Sequence, residues 1–122
     1  MRQPKINLVL IVLDALRYDY WMEFAGSVSS SHSLIAFHNV FSTSTWTPPS
    51  HASIFTGKYP HQHGILARRD TVPPLRVPGL AHELRKLGYQ TLAVVGNPAA
   101  TPFIGKGFGH VVEVDVGRRE AI

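Results

Sequence analysis

The sequence predicts an α/β fold, a mostly parallel sheet flanked by helices, and three observations carry that reading. Two apolar runs, INLVLIVLD from Ile6 and YQTLAVVG from Tyr89, are rich in leucine and β-branched residues, as strands covered on both faces are. Between them, VPGLAHELRKLG places Leu80, Leu84 and Leu87 at i, i+4 and i+7, the period of an amphipathic helix. A third run, HVVEVDV from His110, reads as a further strand, and strands alternating with helices build layered α/β domains.

Taken in order, Ile6 to Leu13 is the first and central strand, ending in Asp14. Basic residues precede it, as in a secretory leader, but the run is eight residues long and no small-x-small cleavage site follows. It is far short of the ~20 residues of a membrane span, so a soluble, cytoplasmic protein is expected. LRYDYWMEF forms a short helix, Ala25 to Ser33 a polar loop, and FHNVFS from Phe37 a short strand. PSHASIFTG is helical, with Ala52, Ile54 and Phe55 for burial and Gly57 as stop. KYPHQHGILARRDTVPPLRVPG reads as loop. The next helix starts after Pro78 and ends at Gly88, and the strand after it is broken by Gly96-Asn97-Pro98. No repeat or low-complexity tract interrupts a single domain over 1–122.

A chain of 122 residues, 44% hydrophobic and 16% charged, has globular composition. With no cysteine, disulfide frameworks, thiolate metal sites and thiol nucleophiles are excluded. The net charge of +4 comes from dispersed Lys and Arg, adjacent at most in pairs such as Arg68-Arg69 and Arg118-Arg119. A nucleic-acid footprint needs clustering on one face, so no nucleic-acid partner is expected; mild positive charge suits a small anionic substrate.

In open parallel sheets ligands bind beyond the carboxyl ends of the strands. Asp14 stands there, either as a metal ligand or as a turn or cap residue. If the helix begins at Pro48, Thr47 is its N-cap, where the helix dipole and unpaired N–H groups favour an anion. A threonine hydroxyl becomes a nucleophile only beside a base or a metal; otherwise Thr47 simply caps the helix. Lys58, His51, His61 and His63 follow closely and are donor types suited to a tetrahedral oxyanion, though each alone reads as a solvated surface residue. HQH lacks the i, i+4 spacing of a zinc helix. GKGFGH, Gly105 to His110, lacks a GK[ST] ending and reads as a turn.

NLVLIVLDALRYD followed by TPPSHASIFTGKYPHQHG resembles the N-terminal part of the sulfatases and their relatives in the alkaline phosphatase superfamily. The signature of that family runs Cys or Ser, any residue, Pro, Ser, Arg, then an apolar pair and Thr-Gly. Here it reads Thr47, Pro48, Pro49, Ser50, His51, then Ile54-Phe55 and Thr56-Gly57, with the later glycine at Gly64. LAHELRKLGYQTLAVVGNP resembles the next helix and strand of the same domain. The resemblance implies a partial alkaline-phosphatase-like layered fold. It also implies a divalent metal cofactor (Ca, Mg, Mn or Zn) held by Asp14 and Thr47, with Thr47 as nucleophile and Lys58 supporting it; His63 lies in the matching stretch before the glycine. Four departures stand out. Threonine cannot give the formylglycine aldehyde, because its Cβ carries a methyl, so Thr47 would act as an alkoxide; His51 replaces an arginine, Ala15 a second aspartate, and Asn97 stands near the place of a lysine.

The expectation is therefore a metal-dependent hydrolase of sulfate or phosphate esters, with Thr47, His51, Lys58 and His63 catalytic. The chain holds four Asp and four Glu, and only Asp14 is well placed, whereas a hard dication wants about six oxygen ligands. An N-terminal fragment or truncated relative of a longer hydrolase is expected, with a C-terminal half-chain or a second copy as partner and no membrane. A non-catalytic anion-binding or assembly module of the same fold is the alternative.

Overall fold

The structure, a computed structural model, describes residues 6–29, 35–66, 73, 75–97 and 107–114. They fall into two units, Met1–Val40 and Phe41–Ile122.

In the first unit, the expected strand over 6–13 does not form, and Ile6, Val9 and Ile11 are more than three-quarters exposed. Extended backbone becomes a strand only when its N–H and C=O groups find a neighbouring ladder, and the described residues of this unit contain none. The chain turns at Asp14 and Ala15, the latter at φ 57°. Helix α1 (Tyr18–Ser29) follows, with Asp19 in its first turn, where a carboxylate complements the helix dipole. The Arg17 guanidinium grips Asp19 with two bonds (3.0 and 2.6 Å) and holds its carboxyl below the usual carboxylate range. The helix extends further than expected: Ala25–Ser29, read as loop, are helical, because adding a turn to a nucleated helix outweighs the penalties of Gly26 and the serines. Ser30–Ser33 lie outside the described residues.

The short strand expected at Phe37–Ser42 is also absent, with Phe37, Val40 and Phe41 exposed and unladdered. The second unit is built around helix α2 (Thr47–Thr56), which ends as expected at Gly57, in the left-handed region at φ 65°, its N–H bonded to the Ser53 carbonyl (2.8 Å). Part of the expected loop is instead one helical turn, α3 (Pro60–His63), started by proline and closed by the Gln62 side chain on the Tyr59 N–H (2.9 Å). Helix α4 (Leu80–Lys86) stands where the leucine period put it, but its buried residue is Ala81, while Leu80 and Leu87 are exposed. The reason is close approach. A Cβ on Gly79 would lie 3.0 Å from the Phe55 carbonyl oxygen, and one on Gly107 would lie 3.4 Å from the Ala81 Cβ. The seam is made of small residues, and the leucines flank it.

Strands β1 (Leu92–Val95) and β2 (His110–Glu113) pair in parallel, in register from Leu92↔His110 to Val95↔Glu113, as the sequence predicts. The Thr91 carbonyl starts the ladder by accepting from the Gly109 and His110 N–H groups (3.1 and 3.0 Å). The continuation of HVVEVDV past Val114 lies outside the described residues. β1 is not covered on both faces: Ala93 and Val95 are buried, but Leu92 and Val94 are 60% and 64% exposed. Among the described residues, the packed face is the one toward Ala52 and Ile65, with Phe55, Leu75, Phe108 and Val111 around it, and Phe55 meets Phe108 edge to face at 6.0 Å.

Candidate functional site

The start of α2 is the most constrained point of the sequence motif. Trp46 precedes it in extended conformation (φ −149°, ψ 161°), and its side chain makes no capping bond. Thr47, expected as the N-cap, is instead the first helical residue, so Pro48 and Pro49 occupy the second and third positions. Both prolines are fully buried and seat the helix start in the unit. They also lack the N–H groups that a cap side chain normally satisfies, and that an anion normally meets at a helix start. The next amide, that of Ser50, already bonds the Trp46 carbonyl at 3.4 Å. An anion at this helix start would meet the dipole and side chains rather than a fan of backbone amides.

Thr47 is half-buried, and one turn on, His51 Nδ1 donates to the Thr47 carbonyl (3.0 Å). A carbonyl can only accept, so Nδ1 carries the proton and, in the neutral ring, Nε2 carries the lone pair. The ring leans on Phe55 at 6.5 Å. The Ser42 and Ser50 hydroxyls converge on the Ser44 carbonyl (2.7 and 3.0 Å), tying the segment before α2 to its first turn. Thr47 and His51 are thus brought together.

Within the second unit, Lys58, His61 and His63 stand away from that pair. Lys58 follows Gly57, exposed, past the opposite end of a ten-residue helix, and ten residues of helix span about 15 Å. His61 is exposed on α3 and stacked on Tyr59 (5.9 Å, 8°). His63 is only 4% exposed; its Nε2 lies 3.0 Å from Ser53 Oγ and its Nδ1 accepts the Ile65 N–H at 3.2 Å. Burial pushes its pKa down, the Pro49 carbonyl pulls the other way, and the charge of His61 adds to the lowering. Asp14 belongs to the first unit, exposed in its turn. Of GKGFGH, Gly105 and Lys106 lie outside the described residues, and Gly107 turns the chain into β2.

Among the described residues no three His, Asp or Glu side chains gather as a metal site requires. A hard dication wants about six oxygen donors, so these described residues do not fit a complete shell. A cavity of about 210 Å³, lined by Phe55, Leu75, Pro78, Leu80 and Phe108 among others, contains none of the predicted site residues.

The sequence model of the sulfatase family matches residues 6–118. The chain belongs to the sulfatase family. No curated protein and no solved structure matches it. Membership implies an alkaline-phosphatase-like fold, with which the α/β organisation and parallel pair of the second unit agree. It aligns the chain with hydrolases of anionic esters, a family that generally uses divalent metal ions. Among the described residues, no helix of this sulfatase-family chain is long and apolar enough to cross a membrane.

The sequence reading singled out neither Ser53 nor Ser42, and named Ser50 only as part of the family signature. The signal for Ser53 was its place beside Ala52 on a helix face otherwise given to burial, where a small hydroxyl needs a partner.

Proposed function

We propose that this chain carries the nucleophile of a hydrolase acting on sulfate or phosphate esters, with Thr47 attacking sulfur or phosphorus. The observation that supports it most is the pairing at the start of α2: a half-buried threonine at the first helical position, with a histidine one turn on whose Nδ1 proton is committed to the Thr47 carbonyl. That leaves His51 Nε2 as the basic nitrogen, suited to take the hydroxyl proton and to return it to the leaving oxygen. The ester bond breaks as the threonyl ester forms, and water then hydrolyses that ester. The helix dipole favours the charge that builds on the transferred group, and Lys58 adds positive charge at longer range.

Asp14, with Thr47, is proposed as a ligand of a divalent cation on the strength of family membership. The further ligands would come from a C-terminal half-chain or a second copy, in a cytoplasmic assembly. The test is hydrolysis of p-nitrophenyl sulfate, phosphate and phosphodiesters with Mg, Ca, Mn or Zn added. Activity that Thr47→Ala abolishes is expected, and undiminished turnover in that variant overturns the assignment. Calorimetric metal titration should lose binding in Asp14→Ala; unchanged affinity places the ion elsewhere.

The second reading, a non-catalytic module that binds anions or joins an assembly, is favoured by the lack of a three-residue metal cluster among the described residues. Sulfate binding without turnover under every metal would select it.

A further inference from the structure

We propose that His63 is a positioning residue: a neutral imidazole, protonated on Nε2, that clasps α2 to the turn after α3. The geometry is self-consistent in one protonation state only. The Ile65 backbone amide can only donate, so His63 Nδ1, 3.2 Å away, holds the lone pair; Nε2 then carries the hydrogen and donates to Ser53 Oγ at 3.0 Å. The two partners come from different elements, Ser53 from the middle of α2 and Ile65 from the chain leaving Gly64, and all three residues are buried. The Ile65 side chain is part of the core with Ala52, Ala93 and Val95, and Ala52 adjoins Ser53. The clasp therefore joins α2 to the core at its polar edge.

Around the ring, α2 presents Ser53 and the Pro49 carbonyl, while α3 presents the charge of His61; the histidine of α2, His51, is bonded to the Thr47 carbonyl. A proton donor to substrate needs one nitrogen that reaches the substrate and exchanges its proton. Both His63 nitrogens are committed inside the protein. The catalytic part expected of His63 from the sequence passes to His51, and His63 instead fixes the helix on which Thr47 stands. That last step rests on the function proposed above; the clasp itself does not, and its test uses no turnover.

The experiment is a long-range ¹H–¹⁵N correlation spectrum of the His63 ring in the full chain, followed through pH, with exchange of the Ile65 amide measured in two variants. The Nε2–H tautomer with a pyridine-type Nδ1 is expected at neutral pH, persisting below the point where exposed histidines titrate. A proton on Nδ1, or titration together with the exposed histidines, overturns the proposal. His63→Asn keeps an acceptor near the place of Nδ1, and His63→Gln a donor near that of Nε2. Exchange at Ile65 should rise roughly tenfold in the Gln variant and stay near wild type in the Asn variant. Equal exchange in both means the ring only fills space. Should neither variant fold, the wild-type ring spectrum decides alone. Thr47→Ala should leave that spectrum unchanged, so failure of the nucleophile assignment and failure of the clasp are read separately.

Discussion

Two apolar runs with the same strand-like composition meet different ends. Residues 6–13 are the longer and more uniformly apolar, yet they form no strand and stand exposed; Leu92–Val95 is half as long and makes β1. What separates them is company. β1 has β2 alongside to complete its hydrogen bonds, and Ala52 and Ile65 cover its inner face, whereas the described residues of the first unit offer the earlier run no ladder. A run of valine, isoleucine and leucine is thus a potential strand, and partner and cover make it one.

The contrast is tested most severely by one residue type in both settings. Ile65→Ala removes the cover of β1 and should cost about 2–5 kcal/mol in urea denaturation, while Ile11→Ala, at a 76% exposed position, should change stability by less than about 0.5 kcal/mol. Equal losses would mean that the first run is as well packed as the second. Next comes the seam that lets α4 approach α2: Gly79→Ala forces a methyl to 3.0 Å from the Phe55 carbonyl oxygen and should cost about 1–3 kcal/mol. Gly57→Ala meets no atom within 4 Å, so only its left-handed backbone is penalised, by about 1 kcal/mol, a smaller shift in the same assay. The smallest effect is on pH. His63 binds its proton less readily folded than unfolded, so the unfolded chain takes up more protons as pH falls. Stability should therefore be full above the ordinary histidine value near 6.5 and decline as pH drops below it. His63→Asn should flatten that part of the denaturation midpoint against pH.

Much of the second unit was legible in its residues because local chemistry decided it. Gly57 and Gly88 stopped helices, the prolines at 48 and 49 marked a helix start, and the alternation of LAHELRK with LAVV and HVVE predicted the parallel pair. What the sequence concealed depends on tertiary company. The leucines of α4 are displaced from burial by a glycine seam, and β1 shows water one face of a run that reads as buried on both. At the candidate site, the proximity of Thr47 to His51 follows from helical spacing, and the remoteness of Lys58 follows equally from helix length. The bond between Ser53 and His63 joins residues ten apart across two helices, and no spacing rule reports it.

The two buried prolines at the start of α2 also release Trp46 from a duty. With no amide hydrogen at the second and third helical positions, a serine or aspartate at 46 would find nothing to cap, and the usual selective pressure on that position vanishes. In a saturation library scored for folding, position 46 should tolerate polar and apolar residues alike as far as capping is concerned, beside two prolines that tolerate almost none. A large aromatic side chain next to the proposed nucleophile then becomes an evolutionary degree of freedom, open to selection for whatever the neighbouring hydroxyl must meet.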